Sequence, residues 1–119
     1  MILLVDSDQI WQEIISRHLL AAELSYTICD TGISAKEYLN ESTPDLIIME
    51  ISLPDMPGTV LLKNIREDSL VSSVPVLILT NSEETEDISL TLEYGASDYL
   101  LKSDIDFRHL ISRINILKK

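Results

Sequence analysis

The chain has 119 residues, of which 20 are acidic and 9 are Lys or Arg, so its formal charge at pH 7 is −11. This length suits one domain, the excess of acid disfavours direct binding to nucleic acid, and the single cysteine, Cys29, excludes an intramolecular disulfide. No apolar segment reaches the roughly 18 residues of a membrane-spanning helix, and the N-terminus lacks the pattern of a signal peptide, so we expect a cytoplasmic protein.

Short apolar segments alternate along the chain with segments in which apolar residues recur at helical spacing. In chain order, these are a strand at 2–5, a helix around 11–22, a strand at 26–29, a helix around 35–39, a strand at 46–49, a helix around 61–65, a strand at 76–79, a helix around 88–92, a strand at 99–101 and a helix at 107–117. Gly95 lies where the fourth helix needs a C-cap. The first, third and fourth strands are apolar on both faces, which is typical of strands buried between two layers of helices.

This alternation of strands and helices predicts an α/β fold with a parallel sheet and right-handed crossovers. For five strands the usual arrangement is the three-layer, doubly wound, flavodoxin-like fold, in which the strand order is 2-1-3-4-5 and five helices cover the sheet. No linker, repeat or low-complexity segment interrupts the pattern. We therefore expect residues 1–119 to form a single domain.

Polar or charged residues follow four of the predicted strands directly: Asp6, Glu50, Thr80 and Lys102. In a doubly wound sheet the ligand crevice lies beyond the carboxyl ends of the strands, where the strand order reverses. Strand ends are often polar for reasons of solvation alone, so any one of these residues would mean little. Two carboxylates, a hydroxyl and an ammonium at one edge suit a phosphoryl group and a divalent cation.

Other ligand sites and hydrolytic chemistry are disfavoured by the residues that the chain lacks. With only Gly32, Gly58 and Gly95, neither a dinucleotide-binding turn nor a Walker loop can be written. The two histidines, His18 and His109, lie within predicted helices, away from the strand ends where a Ser/His/Asp site would need one. We therefore expect that the protein is not an enzyme.

Four motifs follow one another in a recognisable order. Residues 5–8 (Val-Asp-Ser-Asp) close the first strand, and residues 50–58 (Glu-Ile-Ser-Leu-Pro-Asp-Met-Pro-Gly) follow the third. Thr80 closes the fourth strand, and residues 95–102 (Gly-Ala-Ser-Asp-Tyr-Leu-Leu-Lys) span the fifth. In this order and spacing the chain resembles, over essentially its whole length, the chemotaxis-regulator-like receiver domain of two-component response regulators. Such a domain either stands alone or forms part of a longer response regulator.

The resemblance implies a role for each residue at the strand ends. Glu50 occupies the position of the aspartate that accepts a phosphoryl group from a histidine kinase. Lys102 contacts the phosphate, while Thr80 and Tyr99 change orientation when it is present. The acidic, metal-binding pocket comprises the following positions: Asp6, Ser7, Asp8, Glu50 and Ser52.

Two of these positions depart from the family pattern. Glu50 is longer than aspartate by one methylene, which moves the carboxylate by about 1.5 Å, and a misplacement of about 1 Å can cost on the order of 100-fold in rate. Ser7 replaces an acidic residue that binds Mg²⁺ in the family, and a hard cation depends on such oxygen ligands. We therefore expect no resident cofactor and at most weak Mg²⁺ binding.

Three functions are compatible with this sequence. The favoured one is an atypical receiver, or pseudo-receiver, that acts as a protein-interaction module without phosphorylation. In it, Glu50 either imitates the aspartyl phosphate or is inert. The alternatives are a functional, Mg²⁺-dependent, phosphoryl-accepting receiver that regulates an output domain, and a flavodoxin-like protein that binds a small ligand.

Acidic residues open the fourth helix: Glu83, Glu84, Glu86 and Asp87. Acids in a first helical turn complement the helix dipole, and Asn81-Ser82 is the predicted N-cap. The resemblance suggests a second role for these acids, in binding a partner, because the family signals through the face formed by the fourth helix, fifth strand and fifth helix. A protein partner or the chain's own output domain is expected on this face, and a histidine kinase is a further candidate partner. We expect neither nucleic acid nor a membrane to bind this domain.

Overall fold

Five parallel strands form one sheet in the computed structural model, which describes residues 1–118. The strands are β1 (Ile2–Val5), β2 (Tyr26–Cys29), β3 (Leu46–Met49), β4 (Val76–Thr80) and β5 (Asp98–Leu101). The helices are α1 (Gln9–Ala21), α2 (Gly32–Glu41), α3 (Gly58–Glu67), α4 (Thr85–Glu93) and α5 (Phe107–Leu117), with a short 3₁₀ helix at Lys102–Asp104. The strand order is β2-β1-β3-β4-β5. The predicted doubly wound fold is therefore confirmed.

The two faces of the sheet carry separate hydrophobic clusters, because successive side chains of a strand point to opposite faces. In β1, Leu3 packs with the buried residues of α2 and α3, whereas Leu4 packs with those of α1 and α5. Every residue of β1, β3 and β4 is buried. The apolar runs in the sequence thus identified the strands that are covered on both faces.

Side-chain caps fix where three of the helices begin. Asp8 accepts hydrogen bonds from backbone N–H groups at the start of α1, Thr31 and Ser34 form a capping box at α2, and Asp106 caps α5. The cap predicted for α4 at Asn81-Ser82 is wrong, because the N-cap residue is Glu84, which makes no side-chain cap bond. Ser82 lies two residues before the N-cap and contacts the start of the helix from there: its hydroxyl accepts from the backbone N–H of Glu84 at 3.3 Å and donates to the carboxylate of Asp87 at 2.6 Å.

Helix α4 is the least buried of the five helices. Thr91 is its only buried residue, and the helix ends at Glu93 with Tyr94 as its C-cap residue. Gly95, predicted to be the C-cap, is the residue after it and has a φ of 91°, a left-handed conformation that glycine adopts without steric penalty. No helix within residues 1–118 is long and apolar enough to cross a membrane.

Candidate functional site

Asp6, Glu50 and Lys102 meet at the carboxyl edge of the sheet and form what we call the buried triad. The ammonium nitrogen of Lys102 lies 2.7 Å from Oδ2 of Asp6 and 2.9 Å from Oε1 of Glu50. The three residues are 2%, 8% and 4% exposed in the order Asp6, Glu50, Lys102. Because an unpaired buried charge is costly, each carboxylate depends on the ammonium of Lys102, and the ammonium depends on the two carboxylates.

The pairing of the strands explains why these side chains meet. Val5 of β1 is in register with Met49 of β3, so that the next residues, Asp6 and Glu50, leave adjacent strands at the same level. The backbone N–H of Glu50 donates to the carbonyl of Val5 at 2.9 Å. Lys102 follows β5 and opens the 3₁₀ helix. Its four-carbon stem carries the charge across β4 to the two carboxylates.

All four carboxylate oxygens of the triad accept hydrogen bonds. Oδ1 of Asp6 accepts from the backbone N–H of Asp8 at 2.9 Å, and its other oxygen contacts Lys102. Oε2 of Glu50 accepts from the backbone N–H groups of Ile51 and Ser52, at 2.6 and 3.2 Å. Among residues 1–118 no buried side-chain nitrogen or oxygen lacks a hydrogen-bond partner. The triad is thus fully satisfied by groups of the chain itself.

Trp11 covers the ammonium of Lys102 from the first helix. The nitrogen lies 5.3 Å from the centroid of the indole ring, within the range of a cation–π interaction. The motifs of the sequence do not predict this contact. The position of Trp11 two residues into α1, directly after the acidic motif, is the signal that could have placed it at this edge of the sheet.

The charges around Lys102 determine its protonation. Burial lowers the pKa of this ammonium, but the hydrogen bonds and negative charges of Asp6 and Glu50 outweigh burial, so the pKa is raised above its ordinary value of 10.5. A raised lysine pKa contributes stability that is fully present below pH 10.5 and is lost as the pH rises through the higher folded value. At neutral pH Lys102 therefore carries a positive charge.

We expect Lys102 to lose its proton above the ordinary lysine pKa of 10.5. An NMR titration of the lysine Cε signals between pH 9 and 12, which spans the ordinary lysine pKa, should show the Lys102 signal moving above that value. Lys102→Met, which removes this signal, assigns it. If the Lys102 signal moves at the ordinary lysine pKa, the ion pairs described above do not persist in solution.

The other residues of the predicted acidic pocket lie outside the triad. Ser7 is exposed, and the side chain of Asp8 accepts from backbone N–H groups of α1. Ser52 is exposed and reaches Glu50 only through its backbone N–H. Of the five predicted pocket positions, the structure joins only Asp6 and Glu50 to Lys102.

Thr80 and Tyr99 form a second group, which is linked through Ser82. The hydroxyl oxygen of Thr80 accepts from the backbone N–H of Ser82 at 3.4 Å, and the hydroxyl of Tyr99 donates to the carbonyl of Ser82 at 2.7 Å. Burial raises the pKa of Tyr99. Within residues 1–118 no hydrogen bond joins Thr80 or Tyr99 to Lys102 or Glu50. The structure thus brings the predicted switch residues close to α4 but leaves them separate from the triad.

Asp55 anchors the loop that follows Glu50, which the sequence prediction missed. Its two carboxylate oxygens accept from the backbone N–H groups of Gly32 and Ile33, both at 2.8 Å, at the start of α2. These two hydrogen bonds lower the pKa of Asp55. The loop is therefore fixed to a neighbouring helix as well as to the sheet.

The fold and the site together define a class of protein: a doubly wound domain whose strand order reverses beside a buried lysine held by two carboxylates. The family model described as the response regulator receiver domain matches residues 2–115. The chain belongs to this family and is a receiver domain of two-component signalling. The resemblance drawn from its motifs is confirmed.

Known relatives agree with this assignment. The two-component response regulator ORR5 of Oryza sativa subsp. japonica is 34% identical over 95% of this chain and 87% of its own length. The transcriptional regulatory protein GltR of Pseudomonas aeruginosa is 34% identical over 98% of this chain and 48% of its own length. Among solved structures, the receiver domain of the sensor histidine kinase PA1611 from Pseudomonas aeruginosa PAO1, with a magnesium ion in its active-site cleft, has a TM-score of 0.90 and 26% identity over 98% of this chain and 95% of that one.

The family implies a Mg²⁺ ion at this edge of the sheet, but the residues present do not fit one in the arrangement observed. A cation between Asp6 and Glu50 would compete with the Lys102 ammonium for the same oxygens. Ser7 offers no charge in place of the lost acid. Within residues 1–118 no three His, Cys, Asp or Glu side chains are grouped so as to hold a metal ion.

Proposed function

We propose that this receiver domain acts without phosphorylation, as a pseudo-receiver that serves as a protein-interaction module and not as an enzyme. The observation that carries the proposal is the buried triad, in which Lys102 neutralises Asp6 and Glu50 and every carboxylate oxygen already accepts a hydrogen bond. In this proposal the domain works in the cytoplasm.

The geometry of Glu50 supports the proposal directly. An acceptor carboxylate must present one free oxygen to the incoming phosphorus atom. In Glu50 one oxygen is bound by Lys102, and the other is bound by two backbone N–H groups of its own loop. The additional methylene of glutamate makes these hydrogen bonds possible, because it lets the carboxylate turn back towards its own loop. Oε2 then lies 2.6 Å from the backbone nitrogen of Ile51.

The loss of a metal ligand supports the proposal independently. The histidine-kinase receiver that coordinates magnesium shares the fold of this chain. Here Ser7 stands where the family has a second acidic metal ligand, and it is exposed. Mg²⁺ would therefore have to displace the Lys102 ammonium from the two carboxylates and would be bound by one charged ligand fewer than in the family. Phosphoryl transfer to a carboxylate depends on such a cation to neutralise the developing charge.

Of the two roles open to Glu50, imitation of the phosphorylated state is the one that the contacts favour. The carboxylate of Glu50 binds Lys102, the residue that the family uses for phosphate. The hydroxyl of Tyr99 donates to the carbonyl of Ser82 in the loop before α4, which holds its half-buried ring against the body of the domain. Thr80 makes no hydrogen bond with Glu50, so that the imitation involves Lys102 and leaves Thr80 out.

The partner in this proposal is a basic protein surface or the chain's own output domain, which docks on α4, β5 and α5. Exposed acids of this face include Glu84, Glu86 and Glu93, whereas Asp87 is engaged by the Ser82 hydroxyl at 2.6 Å. Association through these acids should weaken as salt is added. A histidine kinase is not needed for this mode of action, and neither nucleic acid nor a membrane is bound by this domain.

A titration with Mg²⁺ and beryllofluoride tests the proposal. The wild-type protein should show no change in the fluorescence of Trp11, its only tryptophan, because neither ion can enter the filled triad. The double variant Ser7→Asp/Glu50→Asp should bind Mg²⁺ and respond to beryllofluoride. Ser7→Asp alone is the matched control and should bind Mg²⁺ weakly, without the beryllofluoride response.

Either of two results would overturn the proposal. One is tight Mg²⁺ binding by the wild-type protein, and the other is stoichiometric labelling of Glu50 by acetyl phosphate. Both would favour the alternative of a Mg²⁺-dependent, phosphoryl-accepting receiver that regulates an output domain. Asp6, Thr80 and Lys102, which match the family at their positions, are compatible with this alternative. Membership of the receiver family favours both of these functions over a flavodoxin-like site for a small ligand.

A further inference from the structure

Helix α4 depends on polar contacts for its position. Its neighbour α3 buries Gly58, Leu61, Leu62 and Ile65, whereas α4 buries only Thr91. Since burial of apolar surface is the main favourable contribution to folding, α4 has little of it to hold the helix against the sheet.

Arg66, in the last turn of α3, makes side-chain hydrogen bonds that connect the C-terminal end of α4 with the rest of the domain. Its Nε and Nη2 atoms donate to the carbonyl of Gly95 at 3.1 and 2.8 Å. Its Nη1 atom donates to the carbonyls of Ser72 and Val74, at 3.1 and 2.7 Å. One guanidinium group therefore joins the end of α4 to the loop between α3 and β4.

The local backbone explains why an arginine suits this place. Gly95 follows the C-terminus of α4, where unsatisfied carbonyls and the helix dipole attract a positive charge. The planar guanidinium carries five donors in a fixed fork, so that it can serve carbonyls on two sides at once. No carboxylate lies within 4.0 Å of Arg66 in the part of the chain that is described.

We propose that Arg66 is the positioning residue of α4: its four hydrogen bonds fix the C-terminal end of the helix, and their rupture lets α4 open as a unit while the sheet stays folded. Lys63 supports the same junction weakly, with its ammonium 5.7 Å from the centroid of the Tyr94 ring. This proposal concerns the mobility of α4 and does not depend on whether Glu50 accepts a phosphoryl group.

The consequence concerns the face that α4 presents. The exposed acids of the helix move with it, so that a partner bound to them would act on a weakly buried helix whose C-terminal end is held by Arg66 of α3. Weakly packed elements of this kind open at lower free energy than the core, and elements that move in regulation are drawn from them.

Native-state amide hydrogen exchange measured by NMR tests the proposal on the wild-type chain and three variants. In the wild type, the amides of α4 should exchange faster than those of β1 and β3. Arg66→Met keeps an unbranched stem of similar helix propensity and removes the guanidinium group, and it should raise exchange in α4 at least tenfold while β1 and β3 change less than threefold. Arg17→Met is the matched control, because Arg17 is an exposed arginine on α1 that forms an ion pair with Glu13 of the same helix, and it should leave α4 unchanged.

Arg66→Lys distinguishes positioning from mere charge. A lysine keeps the positive charge but lacks the fork, so exchange in α4 should stay close to that of Arg66→Met. Full restoration of protection by lysine would overturn the proposal, and so would a uniform rise in every amide, which would show a general loss of stability. If Arg66→Met does not fold, the wild-type data decide: equal protection of α4 and β3 means that α4 has no separate opening and contradicts the proposal.

Discussion

Lys102→Met is expected to lower the free energy of unfolding by about 3–5 kcal/mol at pH 7, because it leaves two buried carboxylates without their counter-charge. Asp6 and Glu50 lie at 2% and 8% exposure, so water cannot replace the ammonium without opening the carboxyl edge of the sheet. Methionine fills most of the space of the lysine stem, which limits the contribution of an empty cavity. Urea unfolding followed by far-UV circular dichroism measures the change.

Two further variants separate the charge effect from packing. Adding Glu50→Gln to Lys102→Met should recover part of the loss, since only one buried carboxylate is then unpaired. Lys36→Met removes an exposed lysine from α2 and should change stability by less than about 0.5 kcal/mol. A loss below about 1 kcal/mol in Lys102→Met would mean that Asp6 and Glu50 do not depend on the ammonium as the distances indicate.

The fold was predictable because strands that are buried on both faces of the sheet consist of uninterrupted apolar residues. Runs such as Leu46–Met49 are apolar throughout, and the polar residue that ends each run marks where the chain leaves the sheet. Since the ends of parallel strands converge, the same pattern predicted that Asp6, Glu50, Thr80 and Lys102 would be neighbours. Asp6, Glu50 and Lys102 do meet, whereas the hydroxyl of Thr80 bonds to the backbone of Ser82 and stays apart from the triad. The 3₁₀ helix that begins at Lys102 left no comparable signal and was not predicted.

The two side chains whose roles the sequence did not reveal form hydrogen bonds with backbone groups. Asp55 binds N–H groups of α2, and Arg66 binds carbonyls of two loops. Every residue except proline carries the same N–H and carbonyl, so the sequence does not reveal which ones a side chain will meet. Asp87 was grouped with the acids available to a partner, but the Ser82 hydroxyl occupies it, a contact that depends on the shape of a loop.

Gly58→Ala is expected to destabilise the domain by about 3 kcal/mol, as overpacking against a rigid wall does. A Cβ atom at this position would lie 2.6 Å from the carbonyl oxygen of Glu50 and 2.7 Å from Cα of Ile51, both of which are backbone atoms. The N–H of Gly58 also donates to the carbonyl of Ile51 at 2.6 Å, so that α3 cannot move away without losing this bond. The substitution therefore pushes directly on the segment that carries Glu50, and the emission of Trp11 should change with it.

Gly32→Ala is the matched control for this effect. Its Cβ would also meet close neighbours, at 2.5 to 2.9 Å, but these are the side-chain atoms of Met56, and a flexible thioether can rotate away. The loss of stability should therefore stay below about 1 kcal/mol, with the emission of Trp11 unchanged. Equal losses in the two variants would show that the backbone around Glu50 yields as easily as a methionine side chain, and the close approach of α3 would then have no part in holding Glu50 against Lys102.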